Sequence, residues 1–370
     1  MASREGPGAA GAPVYVVDSN PNTRIHLTEA LAGHFAVQGY GEERQAIEAV
    51  REQRPMVLIL DGNVVPNGGL QVLKAIKQLS GIDNTVLIAT EEDKRELFLM
   101  NAERLGVDAT IRRPVAAEKL EQVVTQAVTR RVEGRWEKLP APLPSALKET
   151  RDTFAEAWRH AAQGHGMPFD GPLAAGEYIT NAVNNGQAAP FLNAMNGHPD
   201  LEFVHGLRSG VFLALFGQAL GVGQTEQITL AAGGLLLDVG KAAVEENVLE
   251  KRGELGKHDW HKMRKHVHAT VAFLRRCQGV KKGVISVAEQ HHERLDGSGY
   301  PWGLEGEEVN QVGRMAGIVD TFAAMTERRL HRNAFSPAEA FDAMKELSGK
   351  LDSRMLAAFE MTVSRTLPSG

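Results

Sequence analysis

Up to about residue 128 the apolar residues fall in short blocks, two of which end at an aspartate; beyond that point they fall only in helical spacing. Val14 to Val17 stops at Asp18, and Met56 to Leu60 stops at Asp61. Between and after these blocks, helical spacing runs over Asn22 to Leu31, Gln45 to Arg51, Leu70 to Leu79 and Lys94 to Arg104, and from Ala116 onwards. Thr85 to Ala89 and Ala109 to Ile111 read as further strands. Strands alternating with helices at this density imply parallel pairing through right-handed crossovers, hence a doubly wound α/β domain over residues 12–128. Such folds place their sites at the C-terminal ends of strands, where Asp18 and Asp61 stand.

From residue 145 to 367 the pattern is all-α: His205 to Leu220, Ile228 to Leu237, Trp260 to Leu274, Gly283 to His292, Val309 to Thr326 and Pro337 to Leu347. Gly233 and Gly234 inside one of these runs predict a tight helix contact. Residues 129–144 read as a helical linker; the apolar spacing of Leu120 to Trp136, which runs into it, suggests a signalling helix projecting from the first domain and stopped by Pro140, Pro142 and Pro144. Residues 1–11 read as a disordered leader without an apolar secretory core. No apolar run reaches the roughly 20 residues a membrane span needs. A formal charge of -5 argues against general affinity for nucleic acid or anionic lipid. The single cysteine, Cys277, excludes an intrachain disulfide, reads as a buried structural thiol and fits a reducing, cytoplasmic setting.

The second domain carries ligand-type residues at His205, Asp238, His266, His291, His292 and Asp320. Scattered histidines are usually surface groups or satisfied core groups, so composition leaves a metal site and a structural role equally open. The adjacent pair narrows this: successive helical side chains diverge by about 100°, so His291 and His292 serve one ion only at a helix end, or else serve neighbouring sites. They open the run H-H-E-R-L-D-G-S-G-Y-P-W-G-L, which sets imidazoles beside a glycine-rich loop able to approach a substrate closely.

The first domain resembles the receiver domain of bacterial response regulators. The resemblance implies a phosphoacceptor at Asp61, an acidic partner at Asp18, a hydroxyl at Thr90 and a basic residue at Arg113 before Pro114. Ser19 stands where a second acid is expected and Arg113 where a lysine is expected. Loss of one carboxylate weakens an Mg²⁺ site, and arginine lacks the compact ammonium head, so the expectation is a docking or dimerising module with phosphorylation weak or absent.

The run from His291 to Leu304 resembles the signature of the HD-GYP family, phosphodiesterases that hydrolyse cyclic dimeric GMP; L-L-L-D-V-G-K, M-R-K-H and R-M-A-G-I-V-D flank it in agreement. The resemblance implies one or two ions of iron or manganese. Asp238 bridges them, His205 and Asp320 complete one side, and His266, His291 and His292 the other. It implies Asp238 and Lys241 in catalysis, with Lys241 and Arg314 on substrate phosphate and Gly299, Tyr300 and Pro301 around a guanine nucleotide. It also implies a homodimer with signalling-protein partners; no DNA-binding motif is present. Leu237 replaces the histidine of the His-Asp doublet, so one side loses an imidazole and hydrolysis is expected to be weak; the alternatives are an inactive nucleotide sensor or an interaction module. Leu201 stands where some members place a glutamate for a third ion, Ala323 where they place a second aspartate, and Leu330 and His331 where they place Pro-Tyr.

Overall fold

The computed structural model describes residues 13–33, 35–92, 96–249, 251, 255–327, 334–347 and 349–367; the leader, the start of the Lys94 helix, Leu330 and His331 lie outside them. The described residues divide into two compact units, one built on residues 13–134 with Gly197–Pro199, the other on the remainder.

The first unit contains β1 (Val14–Val17), α1 (Pro21–Leu31), β2 (Val37–Tyr40), α2 (Glu43–Glu52) and β3 (Val57–Asp61). It continues with α3 (Gly69–Lys77), β4 (Val86–Glu92), α4 (Glu96–Arg104), β5 (Ala109–Arg113) and α5 (Ala117–Trp136). All pairings are parallel in the order β2-β1-β3-β4-β5, the doubly wound arrangement that the alternation predicts. Alternate strand residues divide between two apolar layers. Tyr15, Val17, Leu58 and Leu60 pack with Ala46, Val50, Val72 and Leu99, whereas Val14, Val16, Val57 and Ile59 pack with Leu27, Leu31, Leu120 and Val124.

Strand β2 escapes the sequence pattern. It is an edge strand bonded only to β1, and its two central residues, Gln38 and Gly39, are exposed, so it lacks the apolar run of an interior parallel strand. Helix α5 corrects a second expectation. Leu120, Val124, Ala127, Val128 and Val132 are buried against the first unit's sheet, so the stripe that suggested a projecting helix is a packing face. Only its last residue, Trp136, joins the core of the second unit, donating from Nε1 to the Ala194 carbonyl at 3.0 Å.

The second unit contains α6 (Leu143–Ala162), α7 (Asp170–Asn184), α8 (Ala188–Asn193), α9 (Leu201–Ala219), α10 (Gln224–Leu236) and α11 (Glu246–Leu249). After these come α12 (Lys257–Arg276), α13 (Lys282–Gln290), α14 (Gln311–Thr326), α15 (Pro337–Lys345) and α16 (Ser353–Thr366). No strand forms there among the described residues. Helix α16 was legible but missed: Asp352 caps it, and Leu356, Phe359 and Val363 bury one face. Phe359 meets Phe212, Phe322 and Phe341 at centroid distances of 6.0, 5.3 and 5.8 Å, tying α9, α14, α15 and α16 together.

The glycine pair does make a tight contact. A Cβ on Gly234 would lie 2.6 Å from the Gly210 nitrogen, and one on Gly206 would lie 2.3 Å from the Leu235 carbonyl oxygen, so α9 and α10 touch backbone to backbone. Cys277 is buried, donates to the Phe273 carbonyl, and has its thiol pushed up by burial, as a structural thiol should. Among the described residues no helix is long and apolar enough to cross a membrane.

Candidate metal centre

The backbone contact between α9 and α10 brings His205, in the second turn of α9, close to Asp238, just past the end of α10. The short turn after Asp238, Val239–Ala243, then docks on α12. Gly240 allows it: a Cβ there would lie 2.2 Å from the His266 carbonyl oxygen, and the Gly240 N–H donates to Thr270 Oγ1 at 2.9 Å. This sets His266 against Asp238. Helix α13 ends at Gln290, so His291 is its cap residue and His292 the next, the helix-end arrangement that lets neighbouring imidazoles converge.

These residues form two donor groups that share one carboxylate: Asp238 with His266, His291 and His292, and Asp238 with His205 and Asp320. The first is strongly preorganised. His266 Nδ1 lies 2.7 Å from the Met263 carbonyl oxygen and His291 Nδ1 lies 2.9 Å from that of Ala288. A carbonyl only accepts, so each Nδ1 carries a proton and each Nε2 of the neutral ring presents a lone pair. Those Nε2 atoms lie 3.0 and 3.4 Å from Asp238 Oδ1, and all three atoms are buried without a hydrogen-bond partner. Buried acceptors converging without a donor fit a cation. His292 Nδ1 faces Asp320 Oδ2 at 3.3 Å, placing it between the groups.

Electrostatics separate the two sides. Burial above all pushes His292 down to about 3, against the charge of Asp320, so its ring is neutral at neutral pH. Burial also opposes charge on His205, but hydrogen bonds with Asp320 and Glu327 and the charge of Asp238 outweigh it and raise His205 to about 10. The carboxylate-rich side thus favours positive charge. Asp238 stays well below the carboxylate range: burial opposes this, but the charge of the Lys241 ammonium prevails. Lys241 Nζ lies 2.8 Å from Asp238 Oδ2 and 2.9 Å from Glu202 Oε2. Leu237 is fully buried in the apolar core, and both donor groups assemble beside it.

The glycine-rich loop folds onto the same site. Tyr300 packs against His292 with centroids 4.6 Å apart and the rings tilted by 35°, and has the Arg264 guanidinium 4.8 Å from its ring. Burial, then the charges of Asp320 and Asp238, push its phenol upward. Gly299 allows close folding: a Cβ there would lie 2.5 Å from the Glu293 Cα. Glu293, the acid that follows the histidine pair in the signature, is not a member of either donor group; it pins the loop by accepting from the Trp302 N–H at 2.7 Å and the Leu304 N–H at 3.0 Å. Glu293→Ala is expected to destabilise this unit by about 2–3 kcal/mol, because two amides lose a charged acceptor. Urea unfolding read by tryptophan fluorescence checks it, since all four tryptophans lie at or beyond Trp136.

Arg314 lies outside both donor groups. Its Nε donates to the Val309 carbonyl, Nη1 to Asp352 Oδ2 at 3.0 Å and Nη2 to the Gly306 carbonyl, so it ties the end of the loop to the cap of α16. A phosphate there would have to displace Asp352. Leu201 is partly exposed, and its neighbour Glu202, which the sequence reading passed over, supplies the carboxylate that holds Lys241. Glu327, one residue beyond α14, was also missed; it lies 3.2 Å from His205 Nδ1.

In the first unit the acid pocket assembles from the strand ends. Asp18 and Asp61 are each 2% exposed, Thr90 is fully buried opposite Asp61 in the β3–β4 register, and Arg113 ends β5. Arg113 bridges the two acids, reaching Asp18 Oδ2 at 3.4 Å and Asp61 Oδ2 through its other terminal nitrogen. Ser19 turns away, donating to the Gly41 carbonyl and accepting from the Val65 N–H. Two carboxylates bridged by a guanidinium do not fit Mg²⁺, which needs several hard oxygen ligands.

Comparison with known proteins agrees with this division. The sequence model of the response regulator receiver domain matches residues 14–125, and that of the HD domain matches residues 192–355. A cyclic di-GMP phosphodiesterase of Thermotoga maritima is 26% identical over 92% of this chain and 87% of its own length. The cyclic di-GMP phosphodiesterase PA4108 of Pseudomonas aeruginosa is 36% identical over 35% of this chain, a match that spans only 31% of that protein. The solved structure of Bd1817, an HDG"Y"P protein of Bdellovibrio bacteriovorus, shares the fold with a TM-score of 0.50 and 15% identity, covering 66% of this chain and 80% of that one.

Proposed function

Because the chain joins a response regulator receiver domain to an HD domain of the HD-GYP type, we propose that it is a signalling protein that binds a cyclic dinucleotide and hydrolyses it slowly with metal ions. The observation that carries the reading is the buried meeting of Asp238 Oδ1 with the His266 and His291 Nε2 lone pairs inside two donor groups that share Asp238. Cyclic dimeric GMP is the substrate to test first, since it names the activity of the relatives in Thermotoga and Pseudomonas.

His266, His291, His292 and Asp238 would hold one ion, and His205, Asp320 and the shared Asp238 the other; the mixed imidazole and carboxylate set suits iron or manganese. When bound, such ions supply Lewis-acid polarisation of a phosphodiester. The protein's own groups orient the reaction. Backbone carbonyls fix the tautomers of His266 and His291, and Glu202 and Asp238 hold the Lys241 ammonium as a fixed positive charge for a substrate phosphate. Glu293 keeps the Gly299–Pro301 loop folded, with the neutral Tyr300 phenol facing the two aspartates. The test is metal analysis of the purified chain followed by an assay for linear dinucleotide and GMP. A chain that holds no ion and turns nothing over ends the reading.

Slow hydrolysis is proposed because the His205 side offers three donors where the other offers four, and Leu237 adds none. Leu237→His should raise ion retention and turnover by about 10 to 100-fold, measured by manganese titration and initial rates. No gain, together with nucleotide binding that survives metal removal, would favour the second reading: a sensor that binds without cleaving. The receiver domain is proposed as a docking or homodimerising module in the cytoplasm. Its arginine-bridged acids oppose phosphorylation at Asp61, so a small phosphodonor should leave the mass of the chain unchanged.

A further inference from the structure

The three inward-facing histidines other than His292 are each fixed through Nδ1, and one is fixed differently. His266 and His291 use backbone carbonyls, whereas His205 Nδ1 faces the carboxylate of Glu327 at 3.2 Å. Both residues are buried, at 2% and 3% exposure. Glu327 is held in place by the chain just before it: Arg208, three residues after His205, donates from Nη2 to Thr326 Oγ1 at 2.7 Å, lashing the end of α14 to α9. On the other side of the ring, His205 Nε2 faces Asp320 Oδ1 at 3.1 Å and Asp238 Oδ2 at 3.6 Å.

A carboxylate on one ring nitrogen decides what the other can do. It keeps a proton at Nδ1 when a cation displaces the one on Nε2, so that the Nε2 lone pair turns to the ion, and it raises the basicity of that nitrogen. We infer that Glu327 is a positioning residue for the three-donor group, presenting His205 Nε2 toward Asp238 and Asp320 for a divalent cation. The inference rests on the reading that this group takes an ion, and it assigns a role to a residue outside the signature run. With three donors, this group depends more on each of them than the four-donor group does, so Glu327 sets the weaker of two affinities.

The experiment is calorimetric titration of the full chain with Mn²⁺, comparing the wild type with Glu327→Gln and Glu327→Leu. Two ions in the wild type, with the weaker affinity reduced about 10 to 100-fold in both variants and the stronger one unchanged, supports the inference. The unchanged ion is the control for a merely structural role, because general loosening of the fold would weaken both. Equal loss of both ions, or no loss of either, overturns the inference while leaving the proposed function standing. A wild type that takes a single ion overturns it too, and one that takes none overturns both.

Discussion

Asp238→Ala is expected to strip both ions from the chain and to reduce the proposed cyclic dinucleotide turnover by well over 100-fold, because among the described residues Asp238 is the only donor common to the two groups. Without it, one group falls from four donors to three imidazoles with no carboxylate, and the other from three donors to two. The substitution also removes a partner from Lys241, whose ammonium would remain buried with Glu202 alone. Asp320→Ala is the contrast: it takes a donor from the His205 group only and leaves the four donors around His266 intact. Metal content after dialysis therefore separates the variants, with close to no ion expected for Asp238→Ala and one for Asp320→Ala. Two ions retained in Asp238→Ala would mean that the shared carboxylate is not the hinge of the site.

That dependence on one carboxylate explains what the sequence could and could not disclose. Motifs reveal donors whose spacing is local: the adjacent His291 and His292, and Asp238 at the end of an apolar run. The division into two groups depends on glycines that let backbones touch, at Gly206, Gly210, Gly234 and Gly240, and only the Gly233 and Gly234 pair stood out in the chain. The supporting carboxylates were invisible for a different reason. Glu202, Glu293 and Glu327 act across the fold on Lys241, the loop amides and His205, and an isolated glutamate has no periodicity that separates it from a solvated one. Conversely, the α5 stripe was read correctly as a helix but assigned to a projection, because periodicity reports that a face is buried and not what buries it. Strand β2 was lost because an edge position relaxes the demand for apolar residues that made the other strands visible.

Arg113→Ala is expected to destabilise the receiver domain by about 3–5 kcal/mol at neutral pH, the usual result of removing one partner of a buried ion pair. Asp18 and Asp61 would be left side by side at 2% exposure with no cation between them. Even with Arg113 present, burial and then the Asp61 charge push the Asp18 carboxyl upward. Loss of the guanidinium removes a lowering influence, so the folded-state value rises further above that of the unfolded chain. The sign of the pH dependence follows. A carboxyl whose folded value is raised binds more protons in the native state than in the unfolded one, so the stability it contributes is present at low pH and is lost as pH rises through the folded value. The variant should therefore recover stability as pH falls from neutral toward the ordinary carboxylate range, while the wild type, with its acids bridged, should change much less. Hydrogen exchange of the β1, β3 and β4 amides reads this unit directly and is not confused by the helical one. Protection in Arg113→Ala equal to wild type at pH 7 would show that the bridge contributes little, and would return Asp61 to consideration as a free phosphoacceptor.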